Sequence, residues 1–333
     1  MLQSDKHHIL EVKNLQTHFF TTSGVVKAVD GASFTVSRGQ VVGLVGESGS
    51  GKTVTGFSIL GLVDHPGRIV GGSIMFKGED LAHASPEQVR SIRGNKIAMI
   101  FQDPMMTLNP VLRIDTQMVE TIQAHETVSV KQARNRAIEA LDRVGIAAPE
   151  QRIFTYPHQL SGGMRQRVAI AIALLNKPDL IIADESTTAL DVTIQDQILA
   201  EVQNLCTDTG MALIWITHDL SVVAGLADDL NVMYGGRIVE SGTVAQVIDT
   251  PSHPYTLGLL NSVPARNERG QPLKQIPGMA PDLANLPKGC SFRPRCPVAT
   301  EICFQFPPLA QTGPKHLAQC HHPIDYKPRE NRK

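Results

Sequence analysis

Gly46-Glu47-Ser48-Gly49-Ser50-Gly51-Lys52-Thr53 decides how the rest of the chain is read. Its spacing is that of a phosphate-binding loop, G-x-x-x-x-G-K-[ST]. The apolar run Gln40-Val41-Val42-Gly43-Leu44-Val45 before it predicts a buried strand, and Thr53 to Leu60 after it can continue as a helix. Strand, glycine loop and helix start are the context this chemistry needs. Glycines let consecutive N–H groups turn inward around an anion, and the helix start adds the positive end of its dipole. In such a loop Lys52 reaches the outer phosphates of a nucleotide and the Thr53 hydroxyl ligates Mg²⁺. A glycine turn with an accidental Lys-Thr is the bland alternative, and the flanking pattern argues against it.

Working outward, the first expectation is of strands. Ile9 to about Val36 alternates loosely between apolar and polar residues, with Gly24 and Gly31 as punctuation, and predicts two or three antiparallel strands. Phe19-Phe20 lies among them. An aromatic ring ahead of a phosphate loop can stack on a base, and period-2 alternation lets only one of the pair face a ligand; Phe19 is the candidate, with a core-facing ring as the alternative. Gly71 to Phe76 and Lys96 to Phe101 predict further strands, the second ending at Gln102-Asp103-Pro104. Gln102 suits either Mg²⁺ and water or a solvated loop. From Val111 to about Ile153 the texture is helical. Ala133, Ala137, Ala140, Leu141 and Val144 form an apolar stripe that Gly145 ends.

Two more stretches carry polar chemistry at the ends of elements. Leu160-Ser161-Gly162-Gly163-Met164-Arg165-Gln166-Arg167 opens a helix that Ser161 can cap, and its paired glycines again offer N–H groups to an anion. Asp179-Leu180-Ile181-Ile182-Ala183-Asp184-Glu185 is an apolar strand ending in two carboxylates. Burying such a pair is costly without a cation. With Mg²⁺ and a phosphate chain nearby, Asp184 would hold the metal and Glu185, pointing elsewhere, would orient or deprotonate water. Thr188-Ala189-Leu190-Asp191 follows in a loop, then a helix over about Ile194 to Leu205, then the strand Met211 to Ile216. His218, just past that strand, is placed to hydrogen-bond a γ-phosphate, or is structural.

The bulk numbers fit a main domain plus an appendage. The chain has 333 residues, 42% of them hydrophobic, and its 31 Lys+Arg against 32 Asp+Glu leave no basic footprint for nucleic acid. No apolar run approaches the roughly 18 residues that span a bilayer, and Met1 to His8 lacks the apolar core of a secretion signal. The expectation is a soluble, intracellular protein able to dock on a membrane protein. Of five cysteines, Cys206 stands alone and should pack in a core. Cys290, Cys296, Cys303 and Cys320 sit together near the C-terminus, after a Pro/Gly-rich linker from Pro264 to Pro287. In a reducing compartment four clustered thiols point to a metal or an iron–sulfur cluster; on ligand chemistry alone the cluster and Zn²⁺ fit equally, and free thiols are the plain alternative. His321-His322 can be spare ligands or solvated side chains.

In combination these motifs resemble the ATP-binding subunits of ABC transporters over about residues 9 to 250. The phosphate loop, Gln102, the signature Leu160 to Met164, Asp184-Glu185, Ala189-Leu190-Asp191 and His218 stand in that family's order. Met164 replaces the family's common glutamine, and Ser186 stands where it usually has proline after the catalytic glutamate. Downstream, Ser252-His253-Pro254-Tyr255-Thr256 resembles the C-terminal extension of dipeptide, oligopeptide and nickel importers, and the four-cysteine tail with Arg293-Pro294-Arg295-Cys296-Pro297 is similar to their D-type subunit. The resemblance implies an α/β P-loop NTPase cassette over residues 1–250. It would comprise a RecA-like core, an antiparallel β subdomain and a helical subdomain over about 104–175, with the Cys-rich extension over 251–333. It further implies ATP and Mg²⁺ bound by Phe19, Gly46 to Thr53, Gln102, Ser161, Gly162, Gly163, Asp184, Asp191 and His218, with Glu185, His218 and Gln102 catalytic. The four cysteines would hold a [4Fe–4S] cluster.

The implied partners are an F-type paralogue in a head-to-tail heterodimer, two permease chains and an extracytoplasmic peptide-binding protein, at the cytoplasmic face of the inner membrane. A nickel-chelate or glutathione importer, a non-transport ABC ATPase and a regulatory ATP-binding module are the alternatives.

Overall fold

The computed structural model describes residues 8–185, 203–204, 206–263 and 275–326. The chain divides into two compact units. One comprises Leu10–Val36, Val41–His83 and Trp215–Lys333; the other comprises Met1–Ile9, Ser37–Gln40 and Ala84–Ile214.

The first unit begins with two long strands, β1 (His8–Thr21) and β2 (Gly24–Ser37). Then come β3 (Val41–Val45), the phosphate loop and helix α1 (Lys52–Ile59), followed by β4 (Gly67–Phe76) and β5 (Glu79–Asp80). The predicted antiparallel region is thus a four-stranded sheet in the order β2-β1-β4-β5. Its inward residues, among them Leu10, Val12, Leu15, Val29 and Ile74, are buried. All five residues of β3 are buried, as expected of a strand covered on both faces.

The second unit is built on a short parallel pair and its crossover. Helix α2 (Pro86–Ile92) starts on a capping box made by Ser85 and Gln88, and leads to β6 (Ile97–Ile100). Parallel strands cannot be joined by a tight turn. The crossover here holds α3 (Ile114–Gln123), α4 (Val130–Arg143), α5 (Pro149–Arg152) and α6 (Gly162–Leu174) before β7 (Leu180–Asp184) pairs with β6 in parallel. Ala133, Ala137 and Leu141 bury the predicted stripe of α4, and Gly145 (φ +70°) ends the helix. Strand β8 (Ala212–Thr217) follows, fully buried.

Back in the first unit, α7 (Leu220–Leu226) leads to β9 (Asp229–Tyr234), which runs parallel to β3. The two-residue turn Gly235-Gly236, both at positive φ, folds the chain back as β10 (Arg237–Thr243). Helices α8 (Val244–Asp249) and α9 (Pro254–Ser262) come next. The Cys-rich tail then adds a hairpin, β11 (Leu309–Gly313) and β12 (His316–Gln319), to the edge of this sheet: β12 pairs antiparallel with β10 through Glu240↔Ala318 and Ser241↔Leu317. The sequence shows little regular structure in the tail, because four- and five-residue strands are too short to show a period.

Candidate functional site

The phosphate loop closes on itself through main-chain geometry. Gly46 (φ +156°) and Gly51 (φ +105°) pass so close to other strands that a Cβ on either would lie 2.2 Å from the Met233 carbonyl oxygen or 2.3 Å from that of Ala28. Lys52 is buried, and its Nζ donates to the carbonyls of Gly46 (2.8 Å) and Glu47 (3.0 Å). Ser50 is also buried, and its hydroxyl has no partner among the described residues. An unmet buried hydroxyl inside an anion-binding loop fits a phosphate acceptor. Loop donors, an ammonium and the Thr53 hydroxyl at the start of α1 together make a donor set for a phosphate chain and a hard, oxygen-seeking cation.

In the other unit the two carboxylates stand where the strand reading predicts. Asp184 is the buried last residue of β7. Glu185 follows with φ +42°, a left-handed backbone uncommon for a residue with a side chain. Gln102, just after β6, donates from Nε2 to Glu185 Oε2 at 3.0 Å. The parallel register of β6 and β7 brings these two strand ends together, Ile100 facing Ala183. The signature turn is as predicted: Ser161 caps α6, its Oγ accepting from the Met164 N–H (3.3 Å), and a Cβ at Gly162 would meet nothing within 4 Å, so that face of the turn is open.

His218 is exposed, one residue past β8 and just before Asp219, the cap of α7. Phe19 is half-buried and pairs with Gly67 across β1 and β4, while the exposed Phe20 ring takes the Arg68 guanidinium 4.4 Å from its centre. Asp191, Ser186 and nearly all of the helix predicted after them lie outside the described residues.

The four tail cysteines come together. Cys290, Cys296, Cys303 and Cys320 line one pocket with His253, Phe292, Arg293, His321 and His322. The Cys290 N–H donates to the Cys303 carbonyl at 3.0 Å, tying two cysteines 13 residues apart. Burial, reinforced by the neighbouring cysteines, raises the Cys290 and Cys296 thiols above the ordinary range and pushes Cys320 up to about 11. Among the described residues, no group of three or more His, Cys, Asp or Glu stands in an arrangement that could hold a metal ion. His321 and His322 hydrogen-bond to the Gln305 carbonyl and the Thr300 hydroxyl. Cys206 is buried, as expected.

Sequence reasoning missed what joins this tail to the phosphate loop. Arg295, one residue before Cys296, forks onto the Glu47 carboxylate with contacts of 2.6 and 2.9 Å. The Glu47 N–H donates to the Tyr255 hydroxyl at 2.8 Å. Beneath lies an aromatic cluster of Tyr234, Tyr255 and Phe292, with ring centres 4.5 to 5.4 Å apart. The fork to Glu47 raises the Arg295 pKa still further, and burial pushes the Tyr255 phenol well above its usual range. These partners are up to 248 residues apart, beyond any periodicity. The one local signal was two residue runs, His-Pro-Tyr and Arg-Pro-Arg-Cys, with no assigned job.

Comparison with known proteins accords with this geometry. Residues 29–188 match the family described as ABC transporter, and residues 239–303 match the oligopeptide/dipeptide transporter C-terminal region. The oligopeptide transport ATP-binding protein OppD of Escherichia coli (strain K12) is 45% identical over 325 residues, spanning 98% of this chain and 96% of that protein. The dipeptide transport ATP-binding protein DppD of the same strain is 45% identical over 318 residues, spanning 95% and 97%. Among solved structures, the ATP-binding cassette MJ0796, in a dimeric post-hydrolysis state bound to ADP and Pi, superposes with a TM-score of 0.65 at 26% identity, covering 71% of this chain and 98% of that one.

Proposed function

The chain belongs to the ATP-binding subunits of ABC transporters, and on that premise we propose that it is the D-type ATPase of an importer for dipeptides or oligopeptides. It binds ATP and hydrolyses it to power import. The loop N–H groups and Lys52 hold the phosphates, with Phe19 offered to the base. Thr53, Gln102 and Asp184 would hold Mg²⁺, which would offset the charge of the phosphates. Glu185 orients the attacking water and takes its proton, and His218 hydrogen-bonds the γ-phosphate. Ser161, Gly162 and Gly163, with Asp191, serve the nucleotide of a facing subunit. The paralogous F-type subunit is that mate, two permease chains are the machinery moved, and an extracytoplasmic binding protein delivers the peptide. No described helix is long and apolar enough to cross a membrane, which suits a subunit docked on permeases at the inner membrane.

The observation that carries the ATPase reading is Glu185. Two carboxylates end β7; the first is buried and the second lies 3.0 Å from the Gln102 amide, a placement that suits metal and water chemistry. In the assembled transporter, Glu185→Gln should retain ATP binding and lower hydrolysis at least about a hundredfold. Hydrolysis at the unmodified rate would sink the assignment.

For the tail, the four-thiol pocket supports a [4Fe–4S] cluster, with Zn²⁺ as the second reading because both take four thiolates. Either would supply the cation that lets buried thiols ionise. His253 favours a bound group: its Nδ1 accepts from the Tyr255 N–H, so the ring proton sits on Nε2, which is buried with no partner among the described residues. Burial lowers its pKa to about 4, keeping the ring neutral. His253 lines the pocket with the four cysteines, and a neutral ring N–H beside sulfur suits a donor to thiolate or sulfide. Iron, sulfide and zinc assays on anaerobically purified protein decide between the two; absence of all three signals leaves only free thiols.

A further inference from the structure

The phosphate loop and the Cys-rich tail are described by separate motifs, yet the tail grips the loop at its second residue. Glu47 is held on both its main chain and its side chain. The Tyr255 hydroxyl takes its N–H at 2.8 Å, and Arg295 takes both carboxylate oxygens at 2.6 and 2.9 Å. Arg295 is in turn fixed by its own contacts, Nε donating to the Pro277 carbonyl (2.9 Å) and Nη1 to the Tyr234 hydroxyl (3.3 Å). Its side chain is 7% exposed, so the guanidinium is fixed by these protein contacts and not by water.

Both grips are anchored at the thiol pocket. Tyr255 follows His253 and Pro254 in one helix start, and both of those residues line the four-cysteine pocket. Arg295 ends the short helical turn Arg293–Arg295, whose next residue is Cys296. Phe292, on the wall of the pocket, packs against both Tyr234 and Tyr255. The loop side is equally committed: Lys52 Nζ bonds to the Glu47 carbonyl, so a shift of Glu47 moves the acceptor of the loop lysine.

We propose that the tail is a clamp on the phosphate loop, with Arg295 and Tyr255 as positioning residues that hold Glu47 and thereby keep the loop in its nucleotide-receiving shape. The clamp rests on the reading of residues 46–53 as the nucleotide-binding loop. It touches no phosphate itself. It lowers the cost of binding by fixing a glycine-rich segment beforehand, which is where preorganisation contributes most. The His-Pro-Tyr and Arg-Pro-Arg-Cys runs then act alike, for each carries one grip on the loop and one anchor at the thiols.

The test is calorimetric titration of the full-length chain with Mg·ADP. Arg295→Gln should weaken binding about tenfold and Tyr255→Phe about threefold. Arg295→Lys, which keeps the charge but not the fork, should fall between Arg295→Gln and the unmodified chain. Glu47→Gln combined with Arg295→Gln should bind no worse than the weaker single variant, because the two share one interaction. Tyr255→Phe keeps the ring and its packing, so it carries the test should Arg295→Gln fail to fold. Dissociation constants within twofold for both single variants, even with lowered melting temperatures, would reduce the tail to a structural staple and overturn the clamp. So would independent, multiplying effects in the double variant. Lys52→Ala is the control on the underlying reading: unchanged binding there removes the nucleotide site itself, whereas its loss beside unaltered Arg295 and Tyr255 variants removes only the clamp.

Discussion

The phosphate loop and the thiol pocket belong to one compact unit but are built in opposite ways. The loop is main chain: glycines, N–H groups, and a lysine resting on carbonyls of its own segment. The pocket is side chain: four sulfurs brought together by short turns and a late hairpin. A site made of backbone is specified by a handful of adjacent residues and keeps its shape while empty. A site made of side chains draws on distant residues and reaches its final shape with what it binds. Here the loop closes on its own carbonyls through Lys52, whereas the pocket is assembled from cysteines spread from Cys290 to Cys320.

The sharpest way to break this contrast is at Gly46. Alanine there would put a Cβ 2.2 Å from the Met233 carbonyl oxygen, a contact that only backbone movement relieves. Nucleotide binding should fall more than about a hundredfold, read by calorimetry. Normal affinity would mean the loop is not held by its main chain. Next comes Phe292→Ala, which empties the wall shared by the pocket and the aromatic cluster. It should cost about 3–4 kcal/mol in denaturant unfolding. A loss below about 1 kcal/mol would show that the two sites do not share a core.

Cys320→Ser tests the pocket alone. If the pocket holds the proposed cluster or zinc, losing one thiolate of four should lower bound metal per chain by more than half, with a modest fall in melting temperature. Unchanged metal content would remove Cys320 from the ligand set. The smallest effect belongs to Gly49→Ala. A Cβ there meets nothing within 4 Å, but φ is +76°, so only backbone strain remains, about 1 kcal/mol. A loss as large as that at Gly46 would mean strain, rather than crowding, governs the loop.

The same contrast explains what could be read from the sequence. The loop, the Ser161 cap, the stripe on α4 and the Asp184-Glu185 strand end are local chemistry, and each stands where its residues predict. The four cysteines were visible as a set, but their meeting point was not: β12 reaches β10 across more than 70 residues before Cys320 can join Cys290. The β9–β10 hairpin went unnoticed although Gly235-Gly236 between apolar runs announces it. The fork from Arg295 to Glu47 left only the Arg-Pro-Arg-Cys run as a local trace, and nothing in that run names its partner.

The tail hairpin has one more consequence. Without β11 and β12, β10 would present bare main-chain donors and acceptors along the rim of its sheet, an open template for another molecule's strand. A cassette trimmed at residue 250 would therefore be stickier as well as smaller, prone to pairing rim to rim and falling out of solution. In this chain the segment that carries the sulfurs covers β10 at Glu240 and Ser241 and moves the free rim out to the five-residue β11, which is too short to make a good template.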